Sequence, residues 1–199
     1  LNLAASTVRG ALTATATTGD ISDSGNLVIT GAATFITTAA GRDIILDQSG
    51  NVFTSTVTMQ AGNGSNAAFD DITFVDSAAV RLHSSAASAG DLYINASTDG
   101  AVGGDLSITA TTGNITQGAA VAVTGTTTLK ATTSNDITLD NTSNNFQGAV
   151  KITSGNDVTL VDAGDIDLGA STVSGTYAVT ATSGDITDSG TLTITGASI

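Results

Sequence analysis

TTGDISDSGNLVITGA, residues Thr17–Ala32, returns near the other end of the chain as TSGDITDSGTLTITGA, residues Thr182–Ala197. The shift between the two copies is 182 − 17 = 165 residues, and residues 1–34 and 166–199 share 20 identities over 34 aligned positions. A looser copy, TTGNITQG, begins at Thr111, which is 111 − 17 = 94 residues after the first. Such internal self-similarity is typical of repeat architectures.

The shifts predict how the chain is organised. Residues 1–165 form one long β-helical super-repeat made of two unequal halves, at about 1–79 and 80–165, and residues 166–199 start the next one. The two halves align in sequence at a shift of 93, which matches Asn51 with Asn144. Further on they align at a shift of 86, which matches Asp76 with Asp162. The change of shift locates short loop insertions at Gly62–Ala68 and His83–Gly90.

A compact motif recurs in which Asp precedes an apolar–any–apolar triplet, as in Asp43-Ile44-Ile45-Leu46 and Asp136-Ile137-Thr138-Leu139. Because successive side chains of a strand point to opposite faces, the two apolar residues of each triplet point inward and the middle one outward. This alternation predicts a structural core made of Ile21, Leu27, Ile29, Ile44, Leu46, Ile72, Phe74, Leu106, Ile108, Ile137, Leu139, Val158, Leu160, Ile166, Leu168, Ile186, Leu192 and Ile194.

The spacing of equivalent triplets indicates the fold. Ile21 and Ile44 are 23 residues apart, Ile115 and Ile137 are 22 apart, and Ile137 and Val158 are 21 apart. A coil of that length holds three short strands and three bends, and each strand pairs in parallel with its counterpart one coil away. The sequence therefore predicts an all-β parallel solenoid, the parallel β-helix.

Composition supports this fold and excludes several functions. The 199 residues include no Pro, Cys or Trp, and all 18 acidic residues are Asp, a residue that favours turns over helices. Proline lacks the N–H that a continuous strand ladder needs, so its absence fits coils bonded on both sides. With a net charge of −13 and five scattered cations, we expect no binding to nucleic acid and no insertion into a membrane. We find no signal peptide pattern, and both ends lie inside the repeat pattern, which predicts an excerpt from something longer or a subunit whose ends meet other copies.

Catalysis has to be considered, because some polysaccharide-cleaving enzymes use β-helices. Their sites need clustered carboxylates with a nearby Arg, Lys or His. Here the cations are dispersed, adjacent Asp70 and Asp71 point to opposite sides of a strand, and Asp165 and Asp167 flank a structural triplet. His83, the only histidine, is expected in a loop, so we predict that the protein is not an enzyme.

Binding of calcium or of a crystal surface has to be considered as well. Asp carboxylates stacked on successive coils repel one another, and a hard cation would relieve that repulsion. The calcium-binding candidates are Asp20, Asp23, Asp185 and Asp188, although turn chemistry also explains them; we expect no other cofactor. Rows of Thr, as in Thr13-Ala14-Thr15, suggest ice binding, but the repeats lack the regularity that a flat Thr face requires.

The string NDITLDNTSNNFQGAVKITSGNDVTLVDAGDIDLGASTVSG, residues 135–175, resembles the repeats of filamentous-haemagglutinin-like giant exoproteins, the bacterial adhesins exported by two-partner secretion or autotransporter routes. The resemblance covers essentially the whole chain. It implies a right-handed parallel β-helix, a location outside the cell or on the bacterial surface, and a role in adhesion or as an extracellular fibre.

We therefore expect a structural stalk or shaft segment of a large secreted or cell-surface adhesin. A second possibility is a self-assembling extracellular filament subunit joined end to end through its terminal coils. The expected partners are neighbouring copies or adjacent repeats of the same protein, together with a host or neighbouring-cell surface.

Overall fold

The computed structural model of the chain describes residues 1–62, 71–78, 80–83, 91–94 and 101–196. These residues contain strands and turns but no helix, and hence no helix that could span a membrane. The strands stack in parallel as a β-solenoid of about eight turns, so the predicted fold class is confirmed. The predicted insertions at Gly62–Ala68 and His83–Gly90 lie, apart from their first residues, outside the described residues.

The strands are two to five residues long. In chain order they are β1 (Asn2–Leu3), β2 (Ser6–Val8), β3 (Leu12–Ala16), β4 (Ile21–Asp23), β5 (Leu27–Ile29), β6 (Ala33–Thr37), β7 (Ile44–Leu46), β8 (Val52–Phe53), β9 (Val57–Gln60), β10 (Ile72–Asp76), β11 (Val80–His83), β12 (Asp91–Ile94), β13 (Ala101–Val102), β14 (Leu106–Ala110), β15 (Ile115–Gln117), β16 (Ala122–Val123), β17 (Thr127–Lys130), β18 (Ile137–Leu139), β19 (Asn145–Phe146), β20 (Val150–Ser154), β21 (Val158–Asp162), β22 (Ile166–Leu168), β23 (Ser171–Val173), β24 (Tyr177–Ala181), β25 (Ile186–Asp188) and β26 (Leu192–Ile194).

Two long sheets run the length of the solenoid. Sheet 1 has the order β1-β4-β7-β10-β14-β17-β20-β22-β25, and sheet 2 has the order β3-β6-β9-β12-β11-β15-β18-β21-β24. The short sheets β2-β5-β8 and β23-β26 lie where the chain passes from sheet 1 to sheet 2, whereas the short sheet β13-β16-β19 lies where it passes from sheet 2 to sheet 1. The nine strands of sheet 1 give eight spacings of about 4.8 Å, so the described rod is about 38 Å long.

The register follows the triplet spacing read from the sequence. Ile21 pairs with Ile44, Ile115 with Ile137, and Ile137 with Val158. In strands such as β4, β7 and β18 the outer two residues are buried and the middle one is half-buried. The alternation of apolar and polar side chains therefore sets which face of each strand enters the core, and the coil length sets which residues stack.

The Asp-led strands do not stay on one sheet. They belong to sheet 1 at β4, β7, β10 and β14, to sheet 2 at β12, β18 and β21, and to sheet 1 again at β22. Only three residues separate β21 from β22, so this turn passes from sheet 2 to sheet 1 without the intervening short strand that β19 provides between β18 and β20. This turn contains two strands instead of three, so the Asp-led triplet that follows it lies on the other long sheet. Equivalent triplets therefore form several separate columns along the rod.

Candidate functional site

A ladder of Asp side chains follows one corner of the rod, immediately before sheet 1. The Asp43 N–H donates to Asp20 Oδ1 at 3.2 Å, the Asp71 N–H to Asp43 Oδ1 at 3.0 Å, and the Asp105 N–H to Asp71 Oδ1 at 2.7 Å. The Thr126 N–H continues the series by donating to Asp105 Oδ1 at 2.7 Å. Each carboxylate thus bonds the corner amide of the next coil and satisfies a backbone donor there.

The same arrangement recurs before sheet 2. Asn114 Oδ1 accepts the Asp136 N–H at 2.9 Å, and Asp136 Oδ1 accepts the Asp157 N–H at 3.1 Å. Asp157 Oδ1 in turn accepts the Thr176 N–H at 2.7 Å. In every bond of these corner ladders, the accepting side-chain oxygen belongs to one coil and the donating N–H belongs to the next coil toward the C terminus. The sequence analysis explained Asp by its preference for turns, which was incomplete because these carboxylates also join neighbouring coils. The recurrence of Asp at the coil spacing was the sequence signal for this second role.

A second set of polar side chains lies inside the rod. Asn51 is fully buried, donates from Nδ2 to Asp23 Oδ2 at 2.7 Å, and accepts the Leu27 N–H on Oδ1 at 2.8 Å. The remaining carboxylate oxygen of Asp23 accepts the Asp47 N–H at 3.0 Å. Buried polar groups are stable when they are hydrogen-bonded in this way. Asn51 therefore joins the bend between β7 and β8 to the bend between β4 and β5 of the preceding coil.

Asn144 holds the equivalent position in the bend between β18 and β19. It is fully buried, and its Oδ1 accepts the Val121 N–H at 2.9 Å and the Gln117 Nε2 at 2.8 Å. Its Nδ2 donates to Gln117 Oε1 at 3.0 Å and to the Val161 carbonyl at 3.0 Å. Gln117 takes the place of Asp23 here, so a neutral amide pair replaces the carboxylate–amide pair.

The carboxylates of Asp76 and Asp162 are buried as well. These two residues occupy equivalent positions in the two halves of the repeat, 86 residues apart. Asp162 accepts the Phe146 N–H and the Gly164 N–H, both at 2.7 Å. Asp76 accepts the Phe53 N–H and the Ala78 N–H, both at 3.3 Å. Burial raises the pKa of Asp76 to about 6, and the backbone N–H donors offset only part of that rise.

Apolar side chains fill the rest of the interior. Phe53 contacts Phe35 edge-on at a ring distance of 6.2 Å and Phe74 at 5.1 Å, so three successive coils share one aromatic cluster. The predicted core residues that lie buried are Ile21, Leu27, Ile29, Ile44, Leu46, Ile72, Phe74, Leu106, Ile108, Ile137, Leu139, Val158, Leu160, Ile166 and Leu168. They form one continuous column with the other buried side chains.

Three predicted core residues are not buried in this structure. Ile186 is 51% exposed, and Leu192 and Ile194 are only partly buried. They occupy the last described coil, where no described coil lies on their C-terminal side. They pair with the buried residues Ile166, Ser171 and Val173 of the preceding coil, which covers them on one side only.

The four calcium candidates lie in different surroundings. Asp20 accepts an amide and lies 3.7 Å from the Arg42 guanidinium, while Asp23 is buried against Asn51. Asp185 and Asp188 are exposed at the C-terminal end of the rod. Within the part of the chain that the structure describes, no three acidic or histidine side chains come together where they could hold a metal ion.

The remaining candidate residues are dispersed. Asp70 lies outside the described residues, and Asp165 accepts the Asp185 N–H at 2.8 Å as a member of a corner ladder. His83 is the last residue of β11, so the expectation of a loop position was wrong. Thr13, Thr34 and Thr58 stack on the outside of sheet 2 across three strands.

The stacked parallel strands, the corner ladders and the continuous apolar column define the class of protein, which is a parallel β-solenoid repeat protein. Over residues 1–60, 70–153 and 155–199 the chain matches a family described as repeats of unknown function (DUF5649), and it belongs to that family. Comparison with curated proteins and with solved structures found no match.

Proposed function

We propose that this protein is a structural stalk or shaft segment of a large secreted or cell-surface adhesin or extracellular fibre, and that it carries out no catalysis. The observation that carries the proposal is the continuity of the rod. Backbone ladders, corner Asp bonds and the apolar column all run along the long axis, so every coil is joined to the next on several sides. The resemblance to filamentous-haemagglutinin-like repeats supports the extracellular location.

The surface supports the same role. The carboxylates follow the corners of the rod, and with a net charge of −13 they keep neighbouring rods apart in solution. The pairing edges of a solenoid are confined to its two ends, which limits lateral strand pairing. We infer that the segment provides length and stiffness, that calcium is not required for its fold, and that contact with a host or neighbouring cell is made through other parts of the assembly.

A second candidate function is a filament subunit that assembles end to end. It is favoured by the exposed face of the last described coil, where Ile186 is half exposed on an edge that can pair with another strand. In this version the copies are joined without covalent continuity.

Electron microscopy of the native material and of the isolated 199-residue chain tests both versions. From β1 to β22, the strands related by the 165-residue shift, sheet 1 advances by seven spacings, or about 34 Å at about 4.8 Å each. A shaft predicts long native rods with an axial period near that length and short rods from the isolated chain. Long fibres grown from the isolated chain would favour the subunit, and native material without rods would contradict both.

A further inference from the structure

The C-terminal face of the rod has a covered counterpart inside the same chain. Adding 165 to the bounds of β3, β4 and β5 gives 177–181, 186–188 and 192–194, which are the bounds of β24, β25 and β26. In the interior, β6 pairs with β3, β7 with β4 and β8 with β5. Residues 33–53 therefore show what covers a face of this type.

The covering coil makes specific contacts with its face. The Ile21 N–H donates to the Asp43 carbonyl at 3.0 Å, and Asp20 Oδ1 accepts the Asp43 N–H at 3.2 Å. Asn51 spans the bend by donating to Asp23 Oδ2 and accepting the Leu27 N–H. At the C-terminal face Asp185, Asp188 and the Leu192 N–H take the positions of Asp20, Asp23 and the Leu27 N–H.

We propose that the face formed by β24, β25 and β26 is an interaction surface for a coil of the 33–53 type, whose buried asparagine bonds Asp188. This inference rests on the proposed role as a shaft segment. The required partner has a first strand that pairs with β24 and an Asp-led apolar triplet that pairs with β25. It also has an Asp directly after the triplet and an Asn four residues later, as Asp47 and Asn51 follow Leu46.

The N-terminal coil of a second copy does not meet these requirements. Between β1 and β2 it has only Ala4 and Ala5, so it offers no amide side chain at the bend where Asp188 needs one. The chemistry of the face thus favours a further coil of the 33–53 type over end-on docking of this chain.

The full chain extended after Ile199 by a copy of residues 35–62 provides the test, because Ile199 corresponds to Thr34 (199 − 165 = 34). Hydrogen–deuterium exchange of β25 and β26 is compared with that of a chain carrying a scrambled extension of the same composition. We expect exchange to slow at least about tenfold with the ordered extension, because a charge-assisted hydrogen bond and the burial of Ile186 are gained. Equal exchange in the two chains would overturn the proposal.

The Asp188→Ala variant isolates the proposed asparagine contact. In the unextended chain Asp188 is exposed, so the variant should leave exchange of β26 unchanged, whereas in the extended chain it should remove much of the protection. Replacing the copied asparagine by alanine should have the same effect and should add nothing to Asp188→Ala. Protection that rises with the concentration of the unextended chain would instead identify a second copy as the occupant and overturn the proposal. The shaft role itself fails separately, if native material lacks rods although the extension protects.

Discussion

Replacing Asp76 by Asn should change how the stability of the rod depends on pH. Asp76 is 4% exposed, and burial raises its pKa to about 6 from an ordinary value of 3.8. A carboxyl whose pKa is higher in the folded protein than in the unfolded chain stabilises the fold fully below the unfolded value. That contribution is lost as the pH rises through the folded value, here between about pH 4 and pH 6.

The size of the effect follows from the shift. The difference of 6 − 3.8, at about 1.4 kcal/mol per unit, gives about 3 kcal/mol between about pH 3 and about pH 8. The asparagine side chain of the variant can keep the bonds from the Phe53 and Ala78 amides through its Oδ1 but carries no charge to desolvate. The Asp76→Asn protein should therefore be more stable than the native protein at about pH 8, and the advantage should fall toward zero or reverse at about pH 3.

Urea unfolding across this pH range measures the effect, with hydrogen exchange at β10 as a local readout because solenoids open in segments. The quantity of interest is the difference in unfolding free energy between the native protein and the variant, in which the titration of the other carboxylates cancels. Asn145→Ala, at an exposed position, is the control; it removes no titrating group and should show a difference that stays flat with pH. A flat difference for Asp76→Asn, or one that favours the native protein more as the pH rises, would show that the pKa of Asp76 is not raised by folding.

Three further substitutions test the contacts that join the coils. Asn144→Ala should lower the unfolding free energy by about 2–4 kcal/mol, because several buried donors and acceptors lose their partner, whereas Asn145→Ala at an exposed position should cost well under about 1 kcal/mol in the same urea titration. Phe53→Ala should cost about 3–5 kcal/mol by opening a cavity in the aromatic cluster, and a loss below about 1 kcal/mol by thermal unfolding would contradict that packing. Gly31→Ala should destabilise the protein by about 1–3 kcal/mol, because a Cβ there would lie 2.4 Å from the backbone of the preceding coil. Gly19→Ala has open space around it and should leave the stability measured by calorimetry unchanged. Equal effects of the two substitutions would count against close contact between the backbones at Gly31.

The sequence predicts the stacking of the coils because two independent signals agree on it. Alternation in the triplets tells which side chains enter the core, and the spacing of 21–23 residues tells which triplets lie over one another, as in the pairing of Ile137 with Val158. A one-residue slip would turn every apolar side chain outward, so the register has little freedom. These two signals together are enough to predict the fold class from the sequence.

The exchange of strands between the sheets was not predicted, although the sequence contains its signal. Asp157 and Asp165 both lead apolar triplets but are only eight residues apart, which is too short for a three-strand coil. The triplets look alike on either sheet, because each sheet buries one face and exposes the other. The buried roles of Asn51 and Asn144 were missed for a related reason, since Asn beside a bend is usually explained by the turn itself.

The direction of the corner ladders explains how a chain with so few aromatic residues keeps a rod together. In each rung a side chain of one coil, as at Asp136, satisfies the backbone amide of the following coil, so a new coil finds an acceptor already in place when it is added. A coil removed from the end leaves a corner carboxylate that water can solvate, but it also uncovers strand edges and apolar side chains, as at Ile186. Growth and fraying are therefore confined to the ends, whereas an interior coil is held by both neighbours. Such nearest-neighbour coupling allows stability to increase with the number of coils, and length can be extended by adding repeats without a new core.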